Sequence, residues 1–349
     1  MRASLMALVA AAGWTIAFAA VSPAMADCKI GLVAELPLDP NRDVPVAEGE
    51  INGQPARFLI DTGSSWTMIV REEALKRHLA MARVKGVTVF GVGGQQEAFG
   101  GTVRSLKVGN LVATNVQVIA SGPSKGSSDV AVVLGEDALS EFDVEFDLAN
   151  HFIRFFKPQG CSPDQLVYWN KPYSQASLLD TDRDSPSVRL PVALNGKRVE
   201  AVLSSGTSIS LVDSTAADLV GAKPDAGATS EILHGSGKAP TTLTTSHFAN
   251  FALGDESIGH VRIWVAPFAS QLEQPDATSF IHHSVTNDPT RTMLVGADFL
   301  RAHRVMVAHR EHVVVFSYSG GPVFGLPTRA DPSSGAGQTA NMTGVATPP

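Results

Sequence analysis

Residues 58–70, FLIDTGSSWTMIV, and residues 201–212, AVLSSGTSISLV, are two versions of one segment. Each is an apolar strand running into a short polar turn that contains one glycine, followed by a second apolar stretch. The first turn holds Asp61, Thr62 and Gly63; the second holds Ser204, Ser205 and Gly206. The similarity extends outward from these turns. VPVAEGEINGQPARFLIDTGSS (44–65) is echoed by LPVALNGKRVEAVLSSGTS (190–208), and in both an Asn-Gly pair sits between alternating apolar residues, the signature of a β-hairpin. RSLKVGNLVATNVQVIA (104–120) matches ANFALGDESIGHVRIWVA (249–266), and VVLGEDALSEFDVEFDLANHFIRFF (132–156) matches MLVGADFLRAHRVMVAHREHVVVFS (293–317). An internal repeat of this length means two copies of one folding unit.

The duplication sets the domain organisation: a lobe over 35–158, a Pro-, Ser- and Asp-rich linker over 159–188, and a second lobe over 189–318. Period two dominates both lobes, so the expected fold is all-β. Short helices are expected at Glu72–Ala80, Asp137–Phe142, Ser214–Val220 and Ala297–Ala302. Residues 327–349 are Pro, Ser, Gly, Ala and Thr for the most part, a composition with nothing to pack, and are expected to be disordered. The segment 267–292 has no counterpart in the first lobe. An irregular loop of that length is either a source of partner contacts or a tolerated insertion.

The 349 residues are 44% hydrophobic and 17% charged, with a formal net charge of −7, which suits two ordinary cores. Nothing in that charge recommends nucleic acid as a partner. Arg2, an apolar run over Leu5–Val21 and Ala24-Met25-Ala26 read as a secretory signal over 1–26, cleaved to leave Asp27 first. The expected location is therefore periplasmic or secreted, with no stable membrane span after cleavage. The two cysteines, Cys28 and Cys161, would pair as one disulfide in that oxidising setting, or remain as separate buried thiols.

These residues resemble the retropepsin-like aspartic proteases, here with two lobes fused and of a bacterial exported type. The resemblance rests on the strand ending in Asp61-Thr62-Gly63, on the glycine-rich VFGVGGQ (89–95), and on Val133-Leu134-Gly135 ahead of a short helix. It implies two pseudo-symmetric β-barrel lobes with a cleft between them. It further implies a flap hairpin at Gly91, Gly93 and Gly94, and a catalytic carboxylate at Asp61. By the same resemblance Thr62 grips the neighbouring loop, Ser64 hydrogen-bonds the outer oxygen of Asp61, and Gly135 and Gly296 support the two loops from behind. The substrate implied is an extended polypeptide lying like an added strand.

Superposed on the first lobe, Ser204 falls where a second catalytic aspartate belongs, while Ser205 and Gly206 keep the hydroxyl and the turn. A hydroxyl neither ionises nor shares an acidic proton near neutrality. Asp61 also loses the like charge that keeps one proton on a carboxylate pair. Asp213 and Glu200 lie beyond and before the loop and offer no replacement. His234 is the nearest candidate base for Ser204, and His282-His283 and His309/His312 lack metal-ligand spacing and read as exposed positions, so no metal and no cofactor are expected. Three readings follow: a homodimer in which two Asp61 loops meet, a lone Asp61 acting with Ser204 and water, or an inactive pseudoprotease that binds a peptide or protein ligand. The reading adopted is an exported aspartic peptidase using Asp61; its alternative is the binding module.

Overall fold

The computed structural model describes residues 28–91, 94–121, 129–181, 186–225, 231–234, 241–268, 291–324 and 339–341. The expected signal sequence, most of the 267–292 segment, Gly93 and the His282-His283 pair lie outside them.

The first lobe contains β1 (Leu32–Pro37), β2 (Val46–Ile51), β3 (Gln54–Ile60), β4 (Met68–Val70), α1 (Arg71–Lys76), β5 (Met81–Gly91), β6 (Gly94–Val108), β7 (Leu111–Ser121), β8 (Val130–Leu134), α2 (Glu136–Leu139), β9 (Asp143–Asp147) and β10 (Phe152–Phe156). Between the lobes come α3 (Pro163–Leu166) and β11 (Ser174–Ser177). The second lobe follows with β12 (Arg189–Leu194), β13 (Lys197–Leu203), β14 (Leu211–Asp213), α4 (Ser214–Val220), β15 (Lys223–Pro224), β16 (Glu231–His234), β17 (Thr241–Leu253), β18 (Glu256–Ala266), β19 (Arg291–Val295), α5 (Ala297–Ala302), β20 (His303–Ala308) and β21 (Val313–Tyr318), with β22 (Thr339–Asn341) last. The expected helices are present, the first two shorter than their sequence suggests. His78, with φ of 53°, turns the chain out of helix after α1.

Each lobe closes into a six-stranded barrel. In the first the ring runs β2-β3-β8-β4-β7-β6 and returns to β2 through Gly49↔Val108. In the second it runs β12-β13-β19-β14-β18-β17 and returns to β12 through Val192↔Leu253. Closure leaves those strands without free edges. Both rings begin with a hairpin whose turn residues are left-handed, Asn52 and Gly53 at 53° and 80°, Asn195 and Gly196 at 51° and 73°. Asparagine and glycine tolerate that region, and the turn it forms matches the twist of paired strands.

A third sheet, β1-β10-β9-β20-β21-β11, joins the lobes, with β9 and β20 paired at its centre through Val144↔Val307. One face carries Val144, Phe146, Phe155, Val305 and Phe316 into the main core. Phe58, Phe251 and Phe299 are in the same core and fully buried; burying each such ring stabilises by on the order of 2–3 kcal/mol.

The segment 159–188 is more than a linker. Leu166 and Val167 cover Phe156, Met306, Val313 and Val315 on the other face of the joining sheet, and β11 completes its edge. Its polar composition hides this role because main-chain pairing and a few scattered apolar side chains suffice for it. Cys28 and Cys161 are joined by a disulfide that ties this segment to the start of β1. Part of the tail also differs from expectation: β22 pairs with β16 through Ile232↔Asn341. A free strand edge recruits polar chain through its backbone alone.

Candidate active site

The geometry begins with β3 and β13, apolar strands inside the two barrels that each deliver a polar turn to the junction of the lobes. Asp61 N donates to Leu134 O at 3.0 Å, and Ser204 N donates to Val295 O at 2.8 Å. Within the turns, Ser64 N donates to Asp61 O and Thr207 N to Ser204 O, both at 3.1 Å. The two turns are thus the same turn, related by the duplication.

They grip each other reciprocally. Thr62 Oγ1 donates to Leu203 O at 2.6 Å, and Ser205 Oγ donates to Ile60 O at 2.7 Å. Thr62 N donates to Ser205 Oγ at 3.0 Å, and Ser205 N to Thr62 Oγ1 at 3.2 Å. Both side chains are fully buried. Only a residue with both a donor and an acceptor on one short side chain can serve such a position twice, which is why Thr and Ser stand there.

Asp61 lies at the contact between the turns. Its Oδ1 accepts from Gly63 N at 2.8 Å and from Gly206 N at 3.0 Å, so each turn contributes one backbone donor. Glycine is required at 206 because a Cβ there would overlap the Asp61 carboxyl group; a Cβ at Gly63 would likewise overlap the Ser204 side chain. Ser204 Oγ is 3.5 Å from Asp61 Oδ1 and makes its shorter bond, 2.7 Å, with Thr207 Oγ1. Burial pushes the Asp61 carboxyl above the usual aspartate range, the Gly63 and Gly206 amides oppose that, and the nearby charge of Glu136 adds to it. Desolvation, and not a second carboxylate opposite, is the main cause of the raised Asp61 pKa.

One expected contact is absent. Ser64 Oγ donates to Trp66 O at 2.8 Å instead of to Asp61. The carbonyl two residues ahead lies within the same turn, and a short local bond of this kind is easily made by serine. Asp213 and Glu200 are committed elsewhere, Asp213 capping α4 through Thr215 N and Glu200 pairing with Arg189.

Gly135 and Gly296 lie directly behind the turns. A Cβ on Gly135 would meet Ser64 O at 2.7 Å, and one on Gly296 would meet Thr207 O at 2.8 Å. Around each glycine is a bracket that sequence reading missed, partly buried in the first lobe and buried in the second. Thr67 Oγ1 accepts from Gly135 N at 3.2 Å and donates to Asp137 Oδ1 at 2.7 Å. In the second lobe Ser210 Oγ accepts from Gly296 N at 2.9 Å and donates to Asp298 Oδ1 at 2.6 Å. The signal was present, since the duplication aligns Thr67 with Ser210 and Asp137 with Asp298. Burial pushes Asp298 up to about 6 against its bonds from Ser210.

Over the first lobe, β5 and β6 form a long hairpin in which Gly91 pairs with Gly94. Among the described residues no group of three or more His, Cys, Asp and Glu side chains is placed to hold a metal ion.

Residues 47–141 match the family model described as "gag-polyprotein putative aspartyl protease", and residues 190–299 match the one described as "Aspartyl protease". A separate comparison with curated proteins found no match. The two matches fall one on each barrel, in the order of the chain.

Proposed function

Because the chain belongs to the retropepsin-like aspartic proteases, as two such domains in tandem, we propose that it is an exported peptidase that hydrolyses extended polypeptide with Asp61 as its catalytic carboxylate. The observation that carries this is the pair of amides on Asp61 Oδ1, one from each lobe. They hold the carboxylate at the lobe junction where a bound peptide bond would be met from both sides, a constraint that a structural turn aspartate does not need.

The chemistry asks Asp61 to work twice. Ionised, it takes a proton from a water molecule as the water oxygen bonds to the scissile carbonyl carbon. Protonated, it gives that proton to the amide nitrogen as the C–N bond breaks. A carboxyl group whose affinity for protons is raised by burial is suited to both steps in mildly acid solution. Ser204 contributes a hydroxyl that orients water but moves no net proton.

A second reading has its own support. The 2.7 Å bond between Ser204 and Thr207 satisfies the Ser204 hydroxyl within its own turn, as expected of a site kept for binding peptide without cutting it. The test is cleavage of a mixed peptide library by the chain from Asp27 onward, from acid to neutral pH, beside Asp61→Asn. Cleavage lost in the variant supports the hydrolase, and specific activity independent of protein concentration assigns it to one chain. Activity rising with concentration points to two Asp61 loops brought together. No Asp61-dependent cleavage at any concentration leaves the binding module.

A further inference from the structure

Behind the Asp61 turn a buried carboxyl group meets a partly buried imidazole, a pair that has no equivalent behind the Ser204 turn. Glu136, the residue after Gly135, donates its backbone N–H to Ser64 O at 2.8 Å and is 2% exposed. Its Oε2 lies 3.0 Å from Nε2 of His309, which comes from the turn between β20 and β21 of the other lobe. The His309 ring is fixed at its far side as well, with Nδ1 2.7 Å from Phe142 O. A carbonyl only accepts, so Nδ1 carries a hydrogen, and the Nε2–Oε2 contact then needs one further proton, from an imidazolium or from a carboxylic acid. Although burial opposes it, the bond and charge of Glu136 raise the His309 pKa, in the direction of the imidazolium. Glu136 Oε1 is buried and has no hydrogen-bond donor among the described residues.

The other ionisable groups around the pair do not cancel it. Asp143 at the start of β9 is fully buried, and burial first, then the charge of Glu311, push it up to about 6. Arg310 points away and donates to Pro158 O at 2.9 Å, and Lys157 lies over the Phe142 ring at 4.8 Å. In the second lobe the duplication aligns Glu136 with Ala297 and His309 with Leu148, an apolar pair. The polar version occurs only on the side that kept its aspartate.

We propose that Glu136, held across the lobe boundary by His309, is a positioning residue for the Asp61 turn and supplies from behind it the negative charge that an aspartate at 204 would have supplied from the front. This rests on Asp61 being the working carboxylate. It makes the proton affinity of Asp61 depend on a contact between lobes, so the site is fully set only when they are docked.

The test is a pH titration of the Asp61 carboxyl carbon by NMR in the chain from Asp27 onward, which requires no turnover. Glu136→Gln should lower the Asp61 midpoint. Where that variant does not fold, Glu136→Ala/His309→Leu copies the apolar pair of the second lobe and should give the same downward shift. In wild type the His309 nitrogen shifts should show hydrogen on Nδ1. An unmoved Asp61 midpoint in either folded variant, or His309 with an unprotonated Nδ1, overturns the proposal. The acid limb of kcat/KM should move with the midpoint, whereas Glu48→Gln at the surface should leave it in place. A shift of the midpoint in a chain that never cleaves peptide would overturn the hydrolase and leave the pairing intact.

Discussion

Ser204 stands opposite Asp61 with its hydroxyl 3.5 Å from Oδ1, yet turned towards Thr207 at 2.7 Å. The surroundings of that position match those of Asp61: the glycine at 63, the grip of Ser205 on the other turn, and the bracket of Gly296 and Ser210 behind it. A single substitution at 204 would set a second carboxylate opposite Asp61.

Ser204→Asp should build that pair. Two carboxylates at this separation share one proton, and the added acid–base group should raise kcat/KM by about 10²-fold or more. The pH profile should become bell-shaped, with both limbs belonging to the pair. A folded Ser204→Asp chain with no gain would show that a second carboxylate at 204 is not sufficient.

The grip between turns can be measured apart from chemistry. Thr62→Val keeps the shape of the side chain but removes its donor to Leu203 O and its acceptor for Ser205 N, both buried. Leaving those groups unpaired should cost about 2–4 kcal/mol, read by urea unfolding. Thr62→Ser keeps the hydroxyl and should cost less than half as much.

The barrels, their order and the homology of the turns were legible in the sequence because the duplication shows each position twice. Asn52-Gly53 and Asn195-Gly196 announce the same hairpin, and Asp61 and Ser204 end the same strand. What was hidden had no local signature. Ser64 chooses between two acceptors according to the path of its own turn. His309 reads as an exposed strand residue until the joining sheet places it against Glu136, 173 residues away. The polar linker joins the cores through scattered apolar residues, Leu166 and Val167 on one face of the joining sheet and Ala176 in the main core.

Stability should decline as pH rises through the mildly acid range. Asp143 and Asp298 are pushed from 3.8 up to about 6, so between those values the folded chain binds more protons than the unfolded one. Each group then withdraws up to about 3 kcal/mol as pH rises from about 4 to about 6. His309, also raised, acts in the same direction as pH climbs through its folded value. Chemical unfolding at pH 4.5 and 7.0 checks the sign. Asp143→Asn should flatten the slope and add stability at pH 7, since its amide offers Glu311 a donor where the carboxylate offers a like charge.

The disulfide should matter to stability and little to the site. Cys28 and Cys161 are 133 residues apart, and a bridge of that span restricts the unfolded chain strongly. The chain-entropy model gives about 4–5 kcal/mol for loops of this order, with less recovered where the unfolded state keeps structure. Cys28→Ser/Cys161→Ser should therefore unfold at markedly lower urea concentration than wild type. Its Asp61 titration at 25 °C should be unchanged, because the bridge anchors the outer cover of the joining sheet and makes no contact with either turn. Reductant applied to wild type should reproduce the variant. An Asp61 midpoint that moves when the bridge is cut would show that this cover, through the sheet beneath it, sets how the two lobes meet.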